Sequence, residues 1–122
     1  MIKIQEISED LVRTLKTVNS KVFPMLAKEG TSLPFITYQR LSISPENTKC
    51  GVPSLTTTWQ IDIVSKEYLQ GVALLDTVIS QVTRMNSPYD LSHRVFISGA
   101  SEEAFDDGYA QTLNIDIETS WS

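Results

Sequence analysis

The stretch "LTTTWQIDIVSKEYLQGVALLDTVISQV", residues 55–82, changes its period halfway, and that change decides the fold class. Over 55–65 apolar and polar residues alternate. Trp59, Ile61 and Ile63 face one way, while Thr58, Gln60 and Asp62 face the other. A period of two belongs to a strand with one covered face. From Tyr68 the apolar residues recur at spacings of four, three, four and three through Val72, Leu75, Ile79 and Val82. That spacing predicts an amphipathic helix over 66–85. Gly71 inside it costs about 1 kcal/mol against alanine, a cost tolerated where a helix must lie close to a sheet. "NSPYD" then breaks the helix through Asn86 and Pro88.

Upstream lies "LPFITYQRLSISPENTKCG", residues 33–51, whose first half is β-branched and aromatic. Strict alternation puts Phe35, Thr37, Gln39, Leu41 and Ile43 on one face, with Ile36, Tyr38, Arg40 and Ser42 on the other. Pro45 ends this strand, over 35–44, and Pro53 bounds the far side of a flexible loop at 44–54. Strands 35–44 and 55–65 then form an antiparallel pair. Before them, "KVFP" reads as a short extended piece and "MLAKEGTSLP" as a connection. Ile4, Ile7, Leu11, Leu15 and Val18 predict a helix within 3–18. Its start is open, because Ser8 followed by Glu9 and Asp10 could also be an N-cap with acids in the first turn.

Downstream, "HRVFISGASEEAFDDGYAQTLNIDIETSW" reads as a hairpin of strands 93–101 and 109–121, turned at "DDG". In the last strand Tyr109, Gln111, Leu113, Ile115, Ile117 and Trp121 share one face, and Thr112, Asn114, Asp116 and Glu118 the other. The order helix, strands, helix, strands carries no βαβα alternation and no internal repeat. It predicts one α+β domain over 1–122, a mostly antiparallel sheet of about four to five strands backed by two helices.

The 122 residues suffice for a core built without disulfides or metals. No apolar run approaches the roughly 18 residues of a membrane span, and the first residues mix acids with bases, unlike a signal or transit peptide. The single cysteine, Cys50, excludes an internal disulfide and points to a reducing compartment. A net charge of −5 argues against a surface built to hold nucleic acid. The charge is uneven: beyond Arg94 come Glu102, Glu103, Asp106, Asp107, Asp116 and Glu118, with no Lys or Arg. Such a run is either a solvated acidic hairpin or a surface facing a basic partner or an aqueous lumen.

Little in the chain points to chemistry. His93, the one histidine, has no serine or cysteine in a nucleophile elbow near it, and beside Arg94 at a strand start it reads as a surface residue. Cys50 next to Lys49 reads as an incidental thiol. One His and one Cys cannot make a zinc site, and "EEAFDDG" lacks the ligand spacing of a calcium loop. The five glycines form no phosphate cradle. No cofactor, no metal and no catalytic residue is expected, and the chain reads as a structural protein rather than an enzyme.

The ordered series "KVFP", "LPFITYQRLSISPENT", "TWQIDIVSKEYLQGVALLDTVISQV", "DDGY" and "TLNIDIETSW" resembles the tail completion, or tail terminator, family of long-tailed bacteriophages. The resemblance runs from Val22 to Trp121, with a departure around Thr48–Pro53. It implies a virion protein, assembled in the bacterial host cytoplasm, that forms a hexameric ring on the head-proximal end of the tail tube. The ring would end tube polymerisation and offer a surface to the head connector or stopper protein. The implied partners are the chain itself, the tail tube protein and the connector; DNA passes through without specific binding, and no membrane is involved. The candidate assembly interface is Pro45, Glu46, Asn47, Thr48, Lys49 and Val52, and the candidate lumen or partner-facing acids are the six beyond Arg94. Two alternatives remain: another neck, baseplate or tube-like phage structural protein, or a small bacterial ligand-binding module with a concave polar pocket.

Overall fold

The structure, a computed structural model, describes residues 2–49 and 52–122, with the backbone alone at 45–49 and 52–53. Among the described residues the elements run α1 (Ile4–Lys16), β1 (Val22–Pro24), β2 (Phe35–Lys49), β3 (Val52–Ser65), α2 (Tyr68–Val82), β4 (Leu91–Phe105) and β5 (Gly108–Trp121). The strands make one sheet in the order β1-β2-β3-β5-β4. β1 lies parallel to β2, and every other pairing is antiparallel. The expected α+β domain is therefore present, with the last strand placed inside the sheet, between β3 and β4, rather than at its rim.

Both helices cover one face. Ile7, Leu11 and Leu15 of α1, with Val78 and Val82 of α2, meet Ile36, Trp59, Ile61, Ile63, Leu113, Ile115 and Ile117 in a single buried cluster. Each fully buried Ile or Leu contributes about 2 kcal/mol relative to exposure, which makes this apolar stripe the main support of the fold. α1 starts at Ile4 with Lys3 in the capping position and no side-chain cap, so the alternative start at Ser8 is not taken. In α2 the buried line runs through Gly71, Val78 and Val82. Tyr68, placed on the apolar stripe by periodicity, is exposed at the helix start. The 3.6-residue period found the helix but put the centre of its buried face slightly off.

Gly71 does lie against the sheet: a Cβ there would fall 2.5 Å from Ser65 Oγ and 3.5 Å from Gln111 Cγ. Gly108 approaches the same residue from the other side. Its missing Cβ would press into the Ser65 carbonyl, well under 3.0 Å. The fully buried Ser65 is thus pinched between the start of α2 and the start of β5, its hydroxyl donating to Glu67 O at 2.9 Å.

Two expectations for β2 fail. The segment 44–54 is not a loop at its flanks, because pairing continues through Pro45↔Leu55, Glu46↔Ser54 and Lys49↔Val52. Proline is tolerated here because β1 covers β2 only as far as Tyr38, and an edge strand needs no outward N–H partner. A register shift between Arg40 and Ser42 also inserts Leu41 as an extra residue. Beyond it Ile43 pairs with Thr57, on the helix-covered side, and so no longer shares a face with Phe35 and Thr37. β4 carries a matching irregularity between Ile97 and Gly99.

Candidate assembly surfaces

The β2–β3 hairpin outruns the rest of the sheet. The last rung between β3 and β5 is Ser54↔Ser120, whereas β2 and β3 go on pairing to Lys49↔Val52. The proposed interface residues Pro45, Glu46, Asn47, Thr48, Lys49 and Val52 therefore sit on a two-stranded arm that reaches past the sheet. Cys50, and Gly51 beside it, lie outside the described residues.

The face of the sheet without helices is polar. On it Thr58 Oγ1 donates to Asp116 Oδ1 at 2.7 Å, and Thr112 Oγ1 donates to Asp62 Oδ1 at 2.6 Å. Gln60 Nε2 donates to the other Asp62 oxygen at 3.0 Å. Arg94 Nη1 lies 3.5 Å from Glu118 Oε1, with its guanidinium 5.3 Å above the Phe96 ring. The Thr58–Asp116, Thr112–Asp62 and Arg94–Glu118 pairs cross between strands and join β3, β5 and β4 on the outside, as the apolar residues do on the inside. A hollow of ≈ 550 Å³ opens where the segment Met25–Thr31 overhangs this face, lined by Lys28, Thr37, Gln60, Asp62 and Thr112 among others. Asp62 is already served there by two neutral donors, an arrangement that suits structure rather than proton transfer.

The six acids beyond Arg94 do not form one surface. Asp116 and Glu118 lie on the helix-free face, near the arm end of the sheet, opposite Thr58 and Thr56. Glu103 shares that face at the far end, opposite Ala110, and Asp106 and Asp107 make the β4–β5 turn beyond it. Glu102 points the other way. The Tyr68 hydroxyl donates to both of its carboxylate oxygens at 3.0 and 3.1 Å, and this hydrogen bond holds the phenol above its ordinary pKa.

His93 is not a surface residue. Its side chain is fully buried, with Nε2 2.8 Å from Asp10 Oδ2 and Nδ1 2.8 Å from Thr119 Oγ1. Asp10, also fully buried, takes a second contact from Arg13 Nη2 at 2.6 Å. Burial raises the Asp10 pKa, but hydrogen bonds from His93, Ser87 and Arg13 outweigh it and hold the carboxyl below its ordinary value. An ionised Asp10 has no proton to give, so Nε2–H is the donor and Nδ1 faces the Thr119 hydroxyl. This cluster ties α1 to β4 and β5. With both side chains closed to solvent it has no room for a substrate. No signal in the sequence joins residues 10, 93 and 119. Among the described residues no three His, Cys, Asp or Glu side chains converge on a metal-sized site, and no helix is long and apolar enough to cross a membrane.

Among solved structures, the chain shares its fold with a protein of "Virion of native gene transfer agent (GTA) particle". The TM-score is 0.68 at 9% identity, over 95% of this chain and 92% of that one. No curated protein matches. The family model described as "Tail completion protein gp17" matches residues 9–114, from α1 into β5. The chain belongs to the tail completion protein gp17 family and is a structural component of the phage tail.

Proposed function

We propose that this protein closes the head-proximal end of the tail tube as a hexameric ring, stopping tube polymerisation and presenting the surface to which the head connector binds. The observation that carries this reading is the tail completion match over 9–114, which takes in most of the fold. The likeness to a protein of a phage-like virion at 9% identity supports it at the level of fold. A ring needs heterologous contacts, in which one patch of each subunit meets a different patch on the next. The projecting arm supplies a reach that the compact remainder of the sheet lacks.

In this reading the arm, residues 45–52, contacts the neighbouring subunit or the tube. The helix-free face, with Asp116 and Glu118, turns towards the channel. Acidic side chains there let DNA pass, where a basic wall would hold phosphates. Native mass spectrometry with negative-stain imaging tests the assembly: six-fold rings are expected, alone or on added tail tubes. A strict monomer under both conditions overturns the ring. Long tubes formed by the chain alone would make it a tube subunit instead.

A further inference from the structure

The two outer edges of the sheet are both long and uncovered. β4 pairs with β5 on one side only, over 15 residues that include neither Pro nor Lys. On the opposite edge, β1 pairs with β2 only from Ile36 to Tyr38, which among the described residues leaves the outer edge of β2 without a strand partner from Gln39 to Lys49. Proteins normally shorten or charge such edges, or cover them, because unpaired N–H and C=O groups recruit another strand. We propose that the subunits join edge to edge, β4 of one copy adding to β2 of the next, so that the sheets continue around the assembly. This rests on the ring reading above.

Strand direction permits it. Because β2–β3, β3–β5 and β5–β4 are each antiparallel, β2 and β4 run in opposite senses. A copy rotated about an axis lying along the strands therefore sets its β2 antiparallel to its neighbour's β4. Pairing of β4 with β4 would instead close a dimer and leave β2 open.

The exposed side chains match as well. Ile43, opposite Thr57, and Ile97, opposite Ile115, both sit on the helix-covered side of the sheet. The helices do not reach them, for they are 42% and 41% exposed. Arg40 lies level with Ile97 through the rungs Arg40↔Trp59, Trp59↔Ile115 and Ile97↔Ile115. Closing a sheet on itself requires a staggered register. A stagger of two rungs places Ile43 opposite Ile97 of the next copy and Arg40 opposite Ala100, and the new ladder ends at Gln39 opposite Ser101, where β1 takes over the edge of β2. The two exposed isoleucines thus meet on one face of the new ladder.

Disulfide trapping tests this. In a Cys50→Ser background, Ile43→Cys and Ile97→Cys together should give a ladder of cross-linked oligomers on mild oxidation, and each substitution alone should give none. Cross-linking by Ile97→Cys alone would mean β4–β4 pairing and overturns the proposal. Six-fold rings that do not cross-link in the double variant overturn it too, while leaving the ring reading intact. A chain that stays monomeric even on tail tubes removes both. Hydrogen exchange on the unaltered protein gives an independent reading: the outward-facing amides within 91–101 and 39–44 should exchange at least tenfold more slowly in the ring. Unchanged exchange there overturns the edge contact.

Discussion

His93 Nε2 lies 2.8 Å from Asp10 Oδ2, joining the first helix to an outer strand of the sheet through two fully buried side chains. Asp10 is held below its ordinary carboxyl value of 3.8, so it binds fewer protons in the folded than in the unfolded state. Its contribution to stability is complete above that value and is lost as pH falls through the folded value. Chemical denaturation at pH values from about 5 down to below 3.8 should show this acid loss in the wild type and less of it in Asp10→Asn. Asp10→Ala at neutral pH should cost about 3 kcal/mol, because the buried His93 loses its Nε2 partner and Arg13 keeps only the Asn86 carbonyl.

Gly108→Ala should destabilise by about 2–3 kcal/mol, since the new methyl meets the backbone carbonyl of Ser65. Gly71→Ala should fall within about 1 kcal/mol of the wild type. There the methyl meets the end of the Ser65 side chain, and alanine's greater helix propensity offsets part of the crowding. Paired thermal melts separate the two, and equal losses would contradict the geometry.

Trp59 Nε1 donates to Thr57 Oγ1 at 2.8 Å inside the core, with Thr57 fully buried. Thr57→Val keeps the shape and strands the indole N–H, so a loss of about 1–2 kcal/mol is expected by urea denaturation.

Glu118→Lys should leave stability within about 0.5 kcal/mol of the wild type, because the Arg94 contact is long and exposed. If the helix-free face lines the channel, particles carrying this substitution at every copy should assemble normally and eject DNA more slowly, as a single-turnover ejection assay would show. Normal ejection would place that face elsewhere.

Replacing 46–52 with Gly and Ser should spare the fold, since the rungs beyond Ser54↔Ser120 join β2 and β3 only to each other. Circular dichroism should be close to the wild type, while tails assembled with this variant are left uncapped. Full capping activity would remove the arm from the interface.

The fold class was readable because the period of 55–82 switches within one stretch, and the buried odd face of β5 was legible for the same reason. The bulge at Leu41 was not, since Arg40, Leu41, Ser42 and Ile43 alternate polar and apolar without a break, so the extra residue leaves no mark in the pattern. Pro45 and Pro53 suggested a loop because the usual objection to proline applies to interior strands, and nothing local tells an edge from an interior. His93 was misread for a different reason: its partners are 83 and 26 residues away, and only the assembled sheet brings them together. Of the candidate surfaces, sequence found the acids but not how they divide. Alternation along β4 separates the neighbours Glu102 and Glu103 onto opposite faces.

The position of β5 between β3 and β4 bears on how the sheet is completed. β3 and β4 do not touch in the sheet order, and the strand that bridges them is the last of the seven elements to leave the ribosome. Until residues 111–117 emerge, Trp59, Ile61 and Ile63 have no neighbouring strand on that side, and the Asp10–His93 pair lacks Thr119. Without β5 the sheet has no strand between β3 and β4, and the core lacks Leu113, Ile115 and Ile117, so the surface that both helices cover is incomplete until this strand joins it.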